Sequence, residues 1–159
     1  MKVLFYGLIF LLGCTNYSVS RTVSVPPVLI SVTPIASGHQ ILMRAANPEI
    51  FFLGYKLYVG TSENDARNPA SYTASGYNCD YRTVIPNLPV EYSAEVSSNS
   101  GGLSSVAAGE NANRVCKFAV SLNSAQYVSI RAMTFSFQGG RAGVQTISFS
   151  APSNALVVP

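Results

Sequence analysis

Phe52-Leu53-Gly54-Tyr55-Lys56-Leu57-Tyr58-Val59-Gly60 is the stretch that decides the fold. Tyr55, Leu57 and Val59 alternate with Lys56 and Tyr58, which is the period of a β-strand burying one face. The same period runs upstream. Val28-Leu29-Ile30-Ser31-Val32 is a strand stopped by Pro34 and a Ser37-Gly38 turn, and Gln40 to Ala46 is another, with Ile41, Met43 and Ala45 on one face and Asn47-Pro48 at its end. Downstream, Thr61 to Ser75 is rich in Ser, Asn, Asp, Ala and Pro and reads as loop, with at most one helical turn at Glu63 to Arg67. Further strands are expected at Tyr81 to Ile85, Glu91 to Ser97, Val115 to Ser121, Tyr127 to Ser136 and Gly143 to Ala151. Phe137 to Ala142, with two glycines free to take positive φ, forms the last hairpin turn. Eight short strands without an amphipathic helix predict an all-β sandwich or barrel.

Composition agrees and excludes several classes of function. The chain has 159 residues, of which 11% are charged, less than half the ~25% usual in soluble domains. The ten Lys and Arg stand singly along the chain and the net charge is only +3, so no nucleic-acid stripe or acidic tail is present. The 21 Ser, 12 Gly and 9 Pro supply a polar but uncharged surface.

The N-terminus has a signal of its own. Met1-Lys2 precedes an apolar run from Val3 to Leu12, then Gly13-Cys14. About ten apolar residues suit a secretory signal, whereas a membrane span needs roughly 20. Leu11-Leu12-Gly13-Cys14 resembles the lipobox of bacterial lipoproteins, with Leu12 giving the looser form tolerated in spirochaetal ones. That resemblance implies a signal peptide over 1–13 and Cys14 as the lipidated first residue of the mature protein, anchored in the cell envelope, most simply at the outer membrane. Two or three acyl chains make such an anchor stable. Residues 14–25 read as an extended tether that at ~3.3 Å per residue reaches about 35 Å. The folded domain then spans 26–159.

With Cys14 assigned to lipid, Cys79 and Cys116 remain. Export to an oxidising compartment points to one disulfide between them, the alternative being two buried thiols. Metal ligation has no support, since neither has a second Cys or a His nearby.

The domain itself resembles fibronectin type III and related immunoglobulin-like modules. Asn47-Pro48 followed by Gly54 to Val59 is similar to the end of strand B and strand C of that family. Leu122 with Tyr127-Val128-Ser129-Ile130-Arg131-Ala132 is similar to strand F, and Gly143 to Ala151 to strand G. The resemblance implies an antiparallel sandwich in which Tyr127 turns its hydroxyl back onto upstream backbone as the tyrosine corner. The surplus length falls between Thr61 and Asn113, where Cys79 and Cys116 tie an enlarged segment to strand E.

Chemistry finds little purchase. His39, the only histidine, would have to serve any Ser/His/Asp arrangement, with Asp65 or Asp80 as orienter; an exposed turn histidine is the plainer reading. Glu91 and Glu95 share a strand face but lack the setting of a glycosidase pair. Ser62-Glu63-Asn64-Asp65 carries oxygen ligands without a Ca²⁺-loop spacing, and reads as a capped turn. No cofactor or metal is expected. Tyrosines are more informative: Tyr55 and Tyr92 suit the core, while Tyr72, Tyr77 and Tyr81 mark the loop from 72 to 81 as the candidate binding segment. The expectation is a lipid-anchored, non-catalytic protein-binding or adhesion module, with membrane contact through the lipid and no nucleic-acid partner. A periplasm-facing structural or assembly subunit is the alternative.

Overall fold

The computed structural model describes residues 25–46, 52–80, 90–137 and 145–159. The segment read as a signal peptide, Cys14, nearly all of the expected tether, Asn47-Pro48, Tyr81 with the strand expected at Tyr81–Ile85, and the turn residues after Phe137 lie outside that set.

The protein is all-β. Its strands are β1 Val28–Ile35, β2 Gly38–Ala45, β3 Phe52–Gly60, β4 Tyr77–Asp80, β5 Val90–Val96, β6 Arg114–Phe118, β7 Tyr127–Phe137, β8 Gln145–Phe149 and β9 Leu156–Val157, with one short helix, α1, at Glu63–Arg67. They form one curled sheet in the order β1-β2-β5-β6-β4-β3-β7-β8, with β9 beside β7. All described pairings are antiparallel except β5 with β6, which run parallel. This corrects the purely antiparallel expectation. A parallel neighbour needs a long return connection, and residues 97–113 supply one.

The alternation read from sequence holds on the inner face. Ile41, Met43 and Ala45 of β2, Tyr55 and Leu57 of β3, Tyr92, Ala94 and Val96 of β5, and Val128, Ile130 and Ala132 of β7 form one buried cluster. Tyr55 and Tyr92 meet there through their hydroxyls at 2.8 Å, and Tyr92 donates on to the Ala45 carbonyl. The pairing satisfies two phenols that burial would otherwise leave unbonded. Cys79 on β4 and Cys116 on β6 are disulfide-bonded, with Cα atoms 5.5 Å apart, inside the same core.

Three local expectations change. β1 does not stop at Pro34 but runs through it, with Pro34 opposite His39. β1 is an edge strand, so a residue with no N–H to donate costs no ladder bond on the open side. Tyr77 stands in β4 rather than in a loop, paired with Leu57. His39 accordingly belongs to β2, between Pro34 and Val96 in register, and is not in the turn.

The larger change concerns the outer face. Lys56 and Tyr58 alternate with the core-facing residues of β3, yet both are buried. Two covers achieve this. Helix α1 and the strap 68–76 lie across β3 and β7, and residues 97–113 lie across β5 and β6, as the hydrogen bonds below show. α1 is capped as its sequence suggests, with the Ser62 side chain accepting from the Asp65 N–H at its start.

Candidate functional site

Under the longer cover, β6 carries an extra residue where the register shifts between Ser93 and Ala94. That extra residue, Val115, lets Arg114 and Lys117, an odd number of positions apart, face the same way. Both converge on Glu95: Arg114 at 3.3 Å and Lys117 at 3.6 Å. The carboxylate also accepts from the Ser104 N–H and hydroxyl, at 2.8 and 3.0 Å. Arg114 continues to Glu110 and to the Ser104 carbonyl, and Lys117 to the Gly102 carbonyl. Burial pushes the Glu95 carboxyl up, but the two Ser104 bonds, then Lys117 and Arg114, more than reverse this and hold it below its ordinary value. The cluster is a charge-balanced clamp that fastens the 97–113 cover. Glu91, its supposed partner, sits exposed at the strand's other end, paired with Arg44. Four residues of strand put the Cα atoms of the two glutamates about 13 Å apart, and only one of the two is buried.

The shorter cover hides a different arrangement. β3 and β7 run antiparallel with Lys56 directly opposite Arg131. Each is only 6% exposed. Arg131 donates to the Ser150 carbonyl at 2.6 Å and the Arg67 carbonyl at 2.8 Å, and its guanidinium lies 4.0 Å from the centre of the Tyr72 ring. Lys56 donates to the Thr73 carbonyl and stands 6.0 Å from the centre of the Phe149 ring. Tyr58, two residues beyond Lys56 on β3 and opposite Ser129, donates to the Tyr72 carbonyl at 2.7 Å and meets the Tyr72 ring edge-on. Tyr72 also tilts against Phe149, with ring centres 6.1 Å apart. Beside them the Ser129 hydroxyl donates to the Ala66 carbonyl at the end of α1. Desolvation lowers the Lys56 pKa and, in the opposite sense, raises that of Tyr58, an effect that the Arg131 charge partly offsets.

Among the side chains that the structure describes, the charges of this second cluster do not balance. Glu63 pairs with Arg67, Glu91 with Arg44, and Glu95 and Glu110 with Arg114. Asp65 accepts from Thr61 at the start of α1. None of these five Glu and Asp side chains lies within ion-pair distance of Lys56 or Arg131; Glu49 and the side chain of Asp80 are outside the described set. What faces them is carbonyl dipoles and aromatic rings.

The sequence-nominated residues thus divide. Tyr72 and Tyr77 are exposed, at 38% and 40%, Tyr72 on the strap and Tyr77 at the head of β4. Tyr127 opens β7 opposite Gly60, half-buried, and among the described residues its hydroxyl finds no hydrogen-bond partner. His39 makes no ion pair among the described residues, and Asp65 lies in α1, which packs on β3 and β7 rather than on β2. No three His, Cys, Asp or Glu side chains converge among the described residues, and no helix there is long and apolar enough to cross a membrane. Lys56, Arg131 and Phe149 were not singled out from sequence. The available signal was a lone cation at an outward position in each of two strands, with no acid in either. Comparisons with protein-family models, curated proteins and solved structures find no match for this chain.

Proposed function

We propose that this chain is a lipid-anchored cell-envelope protein whose β-domain is a non-catalytic protein-binding or adhesion module. One observation carries the binding role: Tyr72 and Tyr77 are both exposed, on backbone that is held down. The Tyr72 carbonyl is fixed by Tyr58 and the Thr73 carbonyl by Lys56, while Tyr77 pairs into the sheet. Rigid tyrosines give large contact area at small entropy cost, the property that makes them anchors at protein interfaces. Lys2, the apolar run to Leu12 and Gly13-Cys14 support export and lipidation.

Strand grouping supports an immunoglobulin-like ancestry for the domain. β1, β2 and β5 lie side by side, as do β3, β7 and β8, echoing the A-B-E and C-F-G groupings of that sandwich. β6 is then an addition that joins the two groups through β4.

Protease treatment of intact cells tests the reading. Cleavage of the domain on unbroken cells is expected; survival until lysis rejects the adhesion role and leaves the periplasm-facing subunit. For the anchor, a metabolic fatty-acid label should mark the wild type and vanish in Cys14→Ser, and its persistence there rejects lipidation.

A further inference from the structure

We propose that Lys56 and Arg131 form the floor of an oxyanion-binding site, with the strap carrying Tyr72 as its cover. This inference depends neither on export nor on the protein-binding role.

The starting point is the register. Like charges directly opposite on adjacent strands repel, and a buried cation is expensive without a partner. Lys56 and Arg131 meet both conditions, being opposite one another and nine-tenths or more buried. Elsewhere this chain handles the same problem with acid: Arg114 and Lys117, also buried, share Glu95. Over Lys56 and Arg131 the described residues supply only the carbonyls of Arg67, Thr73 and Ser150 and the rings of Tyr72 and Phe149. These are partial charges set against two full ones.

Donors remain to be used. The Nε–H of Arg131 is buried with no acceptor, and the three-proton Nζ of Lys56 donates to the Thr73 carbonyl, leaving protons for an incoming oxygen. A guanidinium edge beside an ammonium suits an anion with two or more oxygens, the Arg taking two and the Lys one. The way in is the strap. Tyr72, Thr73 and Ala74 are exposed, as is Asn78, the β4 neighbour of Lys56 in register. Swinging the Tyr72 ring off Arg131 exchanges a cation–π contact for an ion pair. Carboxylate, sulfate and phosphate share this chemistry, and their geometry distinguishes them.

The test uses the purified full chain and compares its thermal midpoint in chloride with that in sulfate, phosphate and acetate at matched ionic strength. A site that binds only the folded state raises the midpoint logarithmically with the free anion, so that most of the curvature falls near the dissociation constant. Excluded salts such as sulfate and phosphate also raise midpoints, but roughly in proportion to concentration and without regard to Lys56. The expected result is a logarithmic rise in wild type that disappears in Lys56→Met and persists in Arg44→Met, an exposed cation outside the site. A logarithmic rise with acetate alone assigns a carboxylate; one with sulfate or phosphate assigns a tetrahedral anion. Equal responses in wild type and Lys56→Met overturn the proposal. Should Lys56→Met fail to fold, the Arg131 Nε–H resonance of wild type decides. It must move saturably with one of the three anions and not with chloride, and a resonance that stays in place overturns the site.

Discussion

Glu95 shows what a single buried carboxylate does when its surroundings are complete. Four groups from three places in the chain, the Ser104 N–H, the Ser104 hydroxyl, Arg114 and Lys117, turn toward it. Burial disfavours its charge, but these partners hold its pKa below the ordinary 4.5. On acidification the unfolded chain therefore takes up this proton before the folded one does. The stability contributed by Glu95 is present above pH ~4.5 and is lost as pH falls through the lower, folded value. Glu95→Gln cannot titrate. Its urea midpoint, measured from pH 6 to 2.5, should fall less steeply with acid than that of wild type; parallel curves would mean that the clamp does not govern acid unfolding. Glu95→Ala leaves the buried Lys117 without a carboxylate and takes from Arg114 one of its two, Glu110 remaining, and should cost about 3–5 kcal/mol at pH 7, by the usual penalty for breaking a buried pair. Urea unfolding at that pH measures it.

Elements were legible where local pattern sufficed. β2, β3 and β7 have long alternating runs whose inner residues pack as read, and the Ser62-Glu63-Asn64-Asp65 start of α1 follows from capping chemistry. β4 was not, because four residues with their register set by two neighbours carry little period of their own. Gly76 explains where β4 begins. Its φ is +81°, and a Cβ there would lie 2.6 Å from the Leu57 carbonyl oxygen and 2.8 Å from the Tyr58 ring. Only glycine lets the strap leave Tyr58 and enter the sheet at Tyr77. Gly76→Ala should cost at least about 1 kcal/mol from the left-handed backbone alone, and chemical denaturation would show whether the close approach adds to it. The disulfide locks β4 to β6 across a separation of 37 residues. Reducing it removes a loop-closure constraint worth roughly 3 to 4 kcal/mol in the chain-entropy model. Urea unfolding with and without reductant checks this, and the Cys79→Ser/Cys116→Ser double variant should match the reduced protein.

At the scale of the molecule, what the sequence withheld is how strands separated along the chain come together. Lys56 and Arg131 sit 75 positions apart, each an ordinary outward residue within its own strand, and only the β3–β7 register sets them opposite one another. Parallel pairing of β5 with β6 is equally invisible, because it depends on where the long 97–113 connection returns. The curl of the sheet is the third such property, and Asn154 is where it closes. β1 is one edge of the strand order, and the segment after β8 runs along β7 toward the opposite edge. The Asn154 amide reaches across, its Oδ1 accepting from the Leu29 N–H at 2.8 Å and its Nδ2 donating to the Leu29 carbonyl at 3.0 Å. One side chain thus imitates a strand neighbour, covering an edge that would otherwise be open to pairing. Asn154→Ala removes both bonds and should cost about 1–3 kcal/mol, together with faster hydrogen exchange at the Leu29 amide. Asn154→Asp separates the two bonds. An ionised carboxylate still accepts from the Leu29 N–H but faces the Leu29 carbonyl with a negative oxygen, whereas the protonated acid can donate to it. Its folded pKa is therefore raised above the ordinary ~3.9 of aspartate, and the deficit relative to wild type should shrink as pH falls through that raised value. Taking the difference between the two proteins at each pH cancels the acid loss at Glu95, which they share. A deficit that stays constant from pH 7 to 3 would show that the seam is held by the core residues around Leu29 and not by the Asn154 amide.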